Sequence, residues 1–175
     1  MTPEQAEFLL HDIYLPELER EHQTTRRVIA AVPADKCSWK PDPKSMSALD
    51  LAWHIASSQC FFMNGVANGA FTPGANTVPD NVKTPADVLK WDDENFAATV
   101  AKLKQTKGDA LIRNIDFFGV FNVPGIAYVG LMNNHSIHHR GQLSSYLRPM
   151  GSKVPGIYGP SGDEPVNIPA RASAT

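Results

Sequence analysis

Apolar residues recur at helical spacing along most of the chain. The first helical segment begins at Thr2-Pro3-Glu4-Gln5, where a cap residue, a proline at the first helical position and Gln at N3 form a capping-box pattern. It continues to about Val32, with Leu15-Pro16 as the place where it would break, because proline removes a backbone donor. Beyond Pro16 a single stripe carries Leu18, His22, Thr25, Ile29 and Val32.

Two further helices follow a proline-rich loop. Ser47, with Asp50 three residues later, predicts the start of a helix through "ALDLAWHIASSQCFFMNGVANG", which ends in glycines. The sequence Thr84-Pro85-Ala86-Asp87 predicts the start of a third helix, and Gly108 is expected to end it. Its apolar positions are Val88, Leu89, Phe96, Val100 and Leu103.

The last third of the chain contains one more helix. Residues 109–123, with "FFGVF", are compatible with a short strand or a loop, and a fourth helix is predicted from about Pro124 to Leu147. The tail, residues 151–175, is rich in Pro and Gly and is expected to be irregular. The pattern indicates an all-α protein, a four-helix bundle over residues 1–150 within one domain of residues 1–175.

Composition removes several classes of function. The chain has 175 residues, of which 42% are hydrophobic and 19% charged, and its net charge is −2. Without a basic run, nucleic-acid binding is set aside. No apolar stretch approaches the roughly 20 residues of a membrane span, and the N-terminus lacks signal-peptide character, so a cytoplasmic location is expected. Cys37 and Cys60 form neither a disulfide framework nor a C-x-x-C motif.

Three histidines fall within residues 135–139 of the fourth helix. A core-facing stripe with spacings of three and four residues runs through Tyr128, Met132, His135, His139, Leu143 and Tyr146. His135 and His139 are therefore one turn apart on one face, a pair that can bind a single metal ion. His138 lies on a neighbouring face.

A third ligand is available on the second helix. His54 lies near its middle and could meet the pair from the fourth helix in the bundle core. Three neutral imidazoles would leave a coordination position open, as in catalytic rather than structural sites. Hydrogen-bonded core histidines explain the same spacing equally well, and spacing alone does not decide between the two.

Three other residues are secondary candidates. His22, in the core stripe of the first helix, is either an acid or base near the metal or a hydrogen-bonded core histidine. Gln142, one turn from His139, either orients that ring or hydrogen-bonds along its helix. Arg140 points away from His139 and is expected to form an ion pair with a neighbouring helix.

Several motifs resemble those of the DinB superfamily. They are H-S-I-H-H-R-G-Q-L-x-x-Y-L-R-x-x-G at 135–151, "VPGIYGPSGDE" at 154–164, "ELEREHQTTRRVIAAVP" at 17–33 and "WKPDPKSMSALDLAWHIA" at 39–56. The resemblance implies a four-helix bundle of the DinB/YfiT type, commonly a homodimer, with a metal site made by His54, His135 and His139. It leaves His138 outside the ligand set.

The resemblance also limits the range of expected functions. Related proteins use low-molecular-weight thiols, or are described only as metal-dependent hydrolases or stress-response proteins. The expectation is a metal-dependent enzyme acting on a small molecule, either a thiol-dependent S-transferase or a hydrolase. The alternative is a non-catalytic metal-binding protein of the stress or damage response. Zinc or nickel suits three imidazoles best. The tail at 154–164 would fold over the bundle or pack on a second subunit.

Overall fold

The chain forms a bundle of long helices with one small hairpin. A computed structural model describes residues 1–74 and 77–166. In chain order the elements are α1 (Pro3–Phe8), a π-helical segment (Leu9–Tyr14), α2 (Leu15–Ala30), a 3₁₀ turn (Ala34–Lys36), α3 (Ala48–Asn68), α4 (Pro85–Lys104), α5 (Gly108–Leu111), β1 (Asn114–Phe117), β2 (Phe121–Pro124) and α6 (Gly125–Leu147). The bundle that the sequence predicts is confirmed, with α1–α2, α3, α4 and α6 as its four long helical segments.

The first helical segment runs past Pro16 without a break, contrary to the expectation. Its capping box between Thr2 and Gln5 is present. The π-helical segment directly precedes α2, and the N–H of Leu15 donates to the carbonyl of Leu10, five residues back. This wider hydrogen-bond register moves the preceding carbonyls away from the proline ring, so that the helix continues through Pro16.

The caps of α3 and α4 follow the sequence prediction, but the end of α4 does not. The hydroxyl of Ser47 accepts from the N–H of Asp50, and Gly69 closes α3 with φ of 71°. Thr84 and Asp87 form the capping box of α4. However, α4 ends at Lys104, and Gly108 instead begins α5, where a Cβ atom would lie 2.3 Å from the carbonyl oxygen of Pro3. Gly108 is thus explained by close packing against α1.

Residues 109–123, for which the sequence left a short strand or a loop open, contain most of an antiparallel hairpin that ends at Pro124. Its strands pair in the register Asn114↔Pro124 to Phe117↔Phe121. Phe118 and Gly119 both have positive φ, 52° and 75°, as tight hairpin turns require. Each strand has only four residues, which is too few for an alternation of apolar and polar residues to be recognised in the sequence.

The core of the bundle is divided into two apolar clusters by a layer of polar residues. One cluster contains Leu10, Leu18, Phe62, Val100 and Met132, among others, and the other contains Val28, Ile55, Val88, Leu143 and Leu147, among others. Between them along each helix lie buried polar side chains: Glu21, His22 and Thr25 on α2, Gln59 on α3, Asp92 on α4, and Asn133, Ser136 and Arg140 on α6. Helices α2, α3, α4 and α6 all contribute buried polar side chains to this layer.

The tail is irregular as far as it is described and folds back onto the bundle of its own chain. The hydroxyl of Tyr158 lies 2.8 Å from Nη2 of Arg140 on α6 and 2.9 Å from Oε2 of Glu21 on α2. Asp163 pairs with Arg148 just after α6. The last part of the predicted tail, residues 167–175, lies outside the described residues.

In the two described stretches of the chain, no helix combines the length and apolar character needed to cross a membrane.

Candidate metal centre and its cavity

Helices α3 and α6 bring three histidines together. His54 comes from the middle of α3, and His135 and His139 are one turn apart on α6. One ligand atom from each of the three lies within 4.8 Å of the other two. Nε2 of His54 and Nε2 of His135 are 3.2 Å apart. Because all three rings are only partly buried, the cluster is accessible from one side.

Neighbouring side chains orient two of these rings. Nδ1 of His139 lies 2.7 Å from Oε1 of Gln142, so an N–H at Nδ1 donates to the amide oxygen and leaves the lone pair at Nε2. The hydroxyl of Ser58 lies 3.4 Å from Nδ1 of His54, one turn along α3. The sequence proposal that Gln142 orients His139 therefore matches a hydrogen bond in the structure.

The environment keeps the rings of His135 and His139 in the neutral form that binds metals. Burial lowers the pKa of His135 to about 4, with the nearby rings of His139 and His54 adding to the effect. Burial also lowers the pKa of His139, against the opposing effect of the hydrogen bond that its ring donates to Gln142. At neutral pH both imidazoles therefore carry a free lone pair.

The cluster fits a divalent transition metal. Two nitrogens that each lie about 2.0 Å from a tetrahedral zinc ion are about 3.3 Å apart, close to the separation between His54 and His135. Among the described residues, Nδ1 of His135 is buried without a hydrogen-bond partner, and Nε2 of the same ring faces Nε2 of His54. Three imidazole nitrogens suit zinc or nickel, and the cluster contains no thiolate or carboxylate.

His138 stays outside the cluster, as the helical stripe predicts. Its side chain is exposed, and its ring centroid lies 4.9 Å from that of His139. It offers no nitrogen to the group of three. His138 is therefore a neighbour of the centre that can serve as a matched control for its ligands.

A cavity of about 650 Å³ adjoins the centre. Its wall includes His54 and His135 of the cluster, and also Cys60 and Thr99. Six of the other twelve lining residues are aromatic: Trp53, Phe61, Phe62, Trp91, Phe117 and Phe118. Phe61 lies two helical turns after His54 on α3, so that both lie on one face of the helix. The contribution of Phe117 and Phe118 could not be foreseen, because the sequence left residues 109–123 open between a short strand and a loop.

His22 does not line this cavity. It lines a separate groove between α2 and α4, where its Nε2 lies 3.2 Å from Oδ2 of Asp92. Its Nδ1 lies 3.1 Å from Oε1 of Gln59, and its ring stacks on Phe96 with centroids 3.4 Å apart. Both ring nitrogens are thus engaged within the polar layer, as expected of the hydrogen-bonded core histidine that was the alternative interpretation.

The chain is similar to a known protein family and to a bacterial protein. The sequence profile of the DinB family matches residues 8–169. The uncharacterized protein YjoA of Bacillus subtilis (strain 168) is 36% identical over 130 residues, which are 73% of this chain and 82% of YjoA.

Solved structures share the fold. The crystal structure of YjoA, a DinB-like protein, aligns with a TM-score of 0.67 at 28% identity, over 82% of this chain and 96% of YjoA. A DinB-like protein from Bacillus cereus ATCC 10987 aligns with a TM-score of 0.69 at 24% identity, over 83% and 95% of the two chains.

A more distant protein has the same fold. The mycothiol-dependent maleylpyruvate isomerase aligns with a TM-score of 0.54 at 16% identity, over 77% of this chain and 62% of the isomerase. That likeness concerns the fold alone. The match of the family profile to most of the chain, together with the identity to YjoA, shows that this chain belongs to the DinB family.

Proposed function

We propose that this protein is a metal-dependent enzyme that joins a small-molecule thiol to an electrophilic small molecule. His54, His135 and His139 would hold the divalent ion, zinc or nickel. The observation that carries the proposal is the convergence of three imidazoles from α3 and α6 at the wall of an aromatic cavity.

The number of ligands favours catalysis over a structural or storage role. Structural zinc sites are normally closed by four protein ligands, whereas catalytic sites keep a position for a substrate. Among the described residues the group consists of three histidines and nothing else. A divalent ion on three neutral imidazoles keeps its charge and can lower the pKa of a thiol that contacts it.

The thiol must come from a second molecule, because neither cysteine of the chain is suited to the task. Cys60 lines the cavity, but burial raises the pKa of its thiol to about 11. Burial also raises the pKa of Cys37, which does not line the cavity. A thiol that stays protonated at neutral pH is a poor nucleophile. The distant isomerase of the same fold is, by its name, dependent on the thiol mycothiol.

The cavity wall favours a thiol over water as the nucleophile. A metal-bound water is commonly assisted by a carboxylate base, as in the H-E-x-x-H metalloproteases. No Asp or Glu is found among the described residues that line this cavity. A thiol ionises several pH units more readily than water, so its proton can pass to solvent without such a base.

The proposed reaction is a substitution at carbon. The sulfur of the thiol forms an S–C bond with the electrophilic carbon of the second substrate. The bond from that carbon to its leaving group breaks, and the leaving group departs with the bonding electron pair. The role of His54, His135 and His139 is to hold the metal, while the cavity wall positions the electrophile and excludes water.

Thiol consumption tests the proposal. Purified protein is incubated with a small thiol and a chromogenic aryl chloride, before chelation, after chelation, and after zinc or nickel is restored. The proposal predicts thioether formation that is lost on chelation and returns with the metal, in wild type and His138→Ala but not in His135→Ala. Metal-dependent conversion at the same rate without thiol would show that water is the nucleophile, and the protein would then be a hydrolase.

A further inference from the structure

The wall of the cavity beside the histidine cluster is aromatic on several sides. Trp53 and Trp91, from α3 and α4, pack edge to face with centroids 4.7 Å apart. Phe117 and Phe118 reach the cavity from the hairpin, and Phe62 stacks parallel to Phe117 with centroids 5.6 Å apart. These rings offer their faces and edges to a flat ligand.

The wall carries no fixed charge. None of its described residues is a Lys, Arg, Asp or Glu. A ligand carboxylate or phosphate placed against the aromatic wall would lose its hydration without gaining a cation. In the proposed function the positive charge is that of a metal ion at the histidine cluster. The sulfur of the thiol would contact that ion, so the charge would not be available to an anionic group of the electrophile.

Five side chains of the wall carry a hydroxyl or an amide, namely Ser57, Ser58, Asn64, Asn95 and Thr99, and two of them bond to the backbone of α4. The amide of Asn95 donates to the carbonyl of Trp91 at 2.7 Å, and the hydroxyl of Thr99 donates to the carbonyl of Asn95 at 2.8 Å. These side chains are therefore partly satisfied by the backbone of α4. The cavity, at about 650 Å³, is within the usual range of small-molecule sites.

We infer that the electrophile bound in this cavity is an uncharged molecule with an aromatic or similarly flat apolar ring, and that Phe118 contributes to its binding. The inference rests on the proposed function only in placing the reacting atom at the histidine cluster. The nature of the wall is independent of it.

Binding of two ring-matched probes tests the inference. Naphthalene carboxamide and naphthalene carboxylate have the same ring system, but only the second is anionic at neutral pH. Their binding to the full-length protein is measured by calorimetry after chelation, so that no bound metal attracts the carboxylate. The carboxamide is expected to bind about tenfold more tightly, or more, a difference of about 1.4 kcal/mol. This measurement does not depend on turnover or metal content, so its failure is distinguishable from failure of the proposed function.

The hairpin supplies a matched pair of variants. Phe118 and Phe121 are 46% and 49% exposed, and both contact the ring of Phe117. Of these two exposed side chains only Phe118 lines the cavity. Phe118→Ala is expected to weaken binding of the carboxamide severalfold, and Phe121→Ala to leave it unchanged. Equal affinity for the two probes, tighter binding of the carboxylate, no binding of either, or equal effects of the two substitutions would overturn the inference.

Discussion

Arg140 and Glu21 form an ion pair inside the bundle, with Nη1 of Arg140 2.6 Å from Oε2 of Glu21 and side chains that are 1% and 6% exposed. Arg140 also donates to the backbone carbonyl of Glu21 at 3.2 Å. Because Arg140 follows His139 on α6, this pair fixes the rotation of α6 against α2. The same rotation directs His135 and His139 towards α3.

Breaking the pair should destabilise the fold. Arg140→Met leaves the Glu21 carboxylate buried without its cation, and we expect the free energy of unfolding in urea to fall by about 3–5 kcal/mol. The double variant Arg140→Met with Glu21→Gln removes both charges and should recover part of that loss. The exposed pair Lys104–Glu19 is the control, since Lys104→Met should cost less than about 1 kcal/mol. A similarly small loss in Arg140→Met would contradict this account.

His22 is expected to act in stability rather than catalysis. In His22→Ala, the buried side chains of Asp92 and Gln59 each lose a polar partner. We expect the free energy of unfolding to fall by about 1–3 kcal/mol, with metal content unchanged. His11→Ala, at an exposed histidine of the same helical segment, should leave stability unaltered. Loss of turnover in His22→Ala without loss of stability would instead support the acid–base role that the sequence suggested.

Gln142 is expected to tune the metal centre. Removing the acceptor of the His139 Nδ1 proton in Gln142→Leu should lower metal affinity by about 10–100-fold, because the ring loses its orientation and part of its basicity. Competition with a chelating dye measures the change. Gln142→Glu keeps an acceptor at the same position and should retain most of the affinity. Equal affinity in wild type and Gln142→Leu would show that the contact has no influence on the centre.

The tail should detach from the bundle in acid. The N–H of Val154, aided by Arg148, holds the pKa of Asp163 below its usual value, and the N–H of Gly156, aided by Arg27, does the same for Glu164. Groups with lowered pKa stabilise the folded tail above their ordinary pKa of about 4, and the contribution is lost as the pH falls through the lowered values.

Hydrogen exchange of residues 152–166, corrected for intrinsic rates, measures this detachment. Protection of the tail should decline below about pH 4 while that of α3 and α6 persists. In a variant with Asp163→Asn and Glu164→Gln the tail should be less protected already at neutral pH and show little further change. A tail equally protected at about pH 3 and pH 7 would contradict the prediction.

The long helices and the histidine cluster were predictable because local signals specify them. Ser47 and Thr84 cap α3 and α4 through contacts within four residues of chain. His135 and His139 share a face because of helical periodicity alone. Whether they meet His54 depends on how α3 packs against α6, which helical spacing does not specify. The resemblance to the DinB superfamily indicated His54 as the third ligand.

Features that depend on tertiary packing could not be read from the sequence. The hairpin turn places Phe118 at positive φ, a conformation that its residue type does not predict. Gly108 serves as a packing contact for Pro3, although its position suggested a helix end. Arg140 was expected to pair with another helix, but only the structure identifies Glu21, from a position 119 residues earlier, as its partner.

Metal analysis of purified protein tests the central claim most directly. Wild type is compared with His54→Ala, His135→Ala, His139→Ala and the control His138→Ala. The account predicts about one zinc or nickel ion per chain in wild type and in His138→Ala, and loss of the ion in the other three variants. Wild-type protein that takes up no metal even after reconstitution, or retention in His54→Ala with loss in His138→Ala, would contradict it.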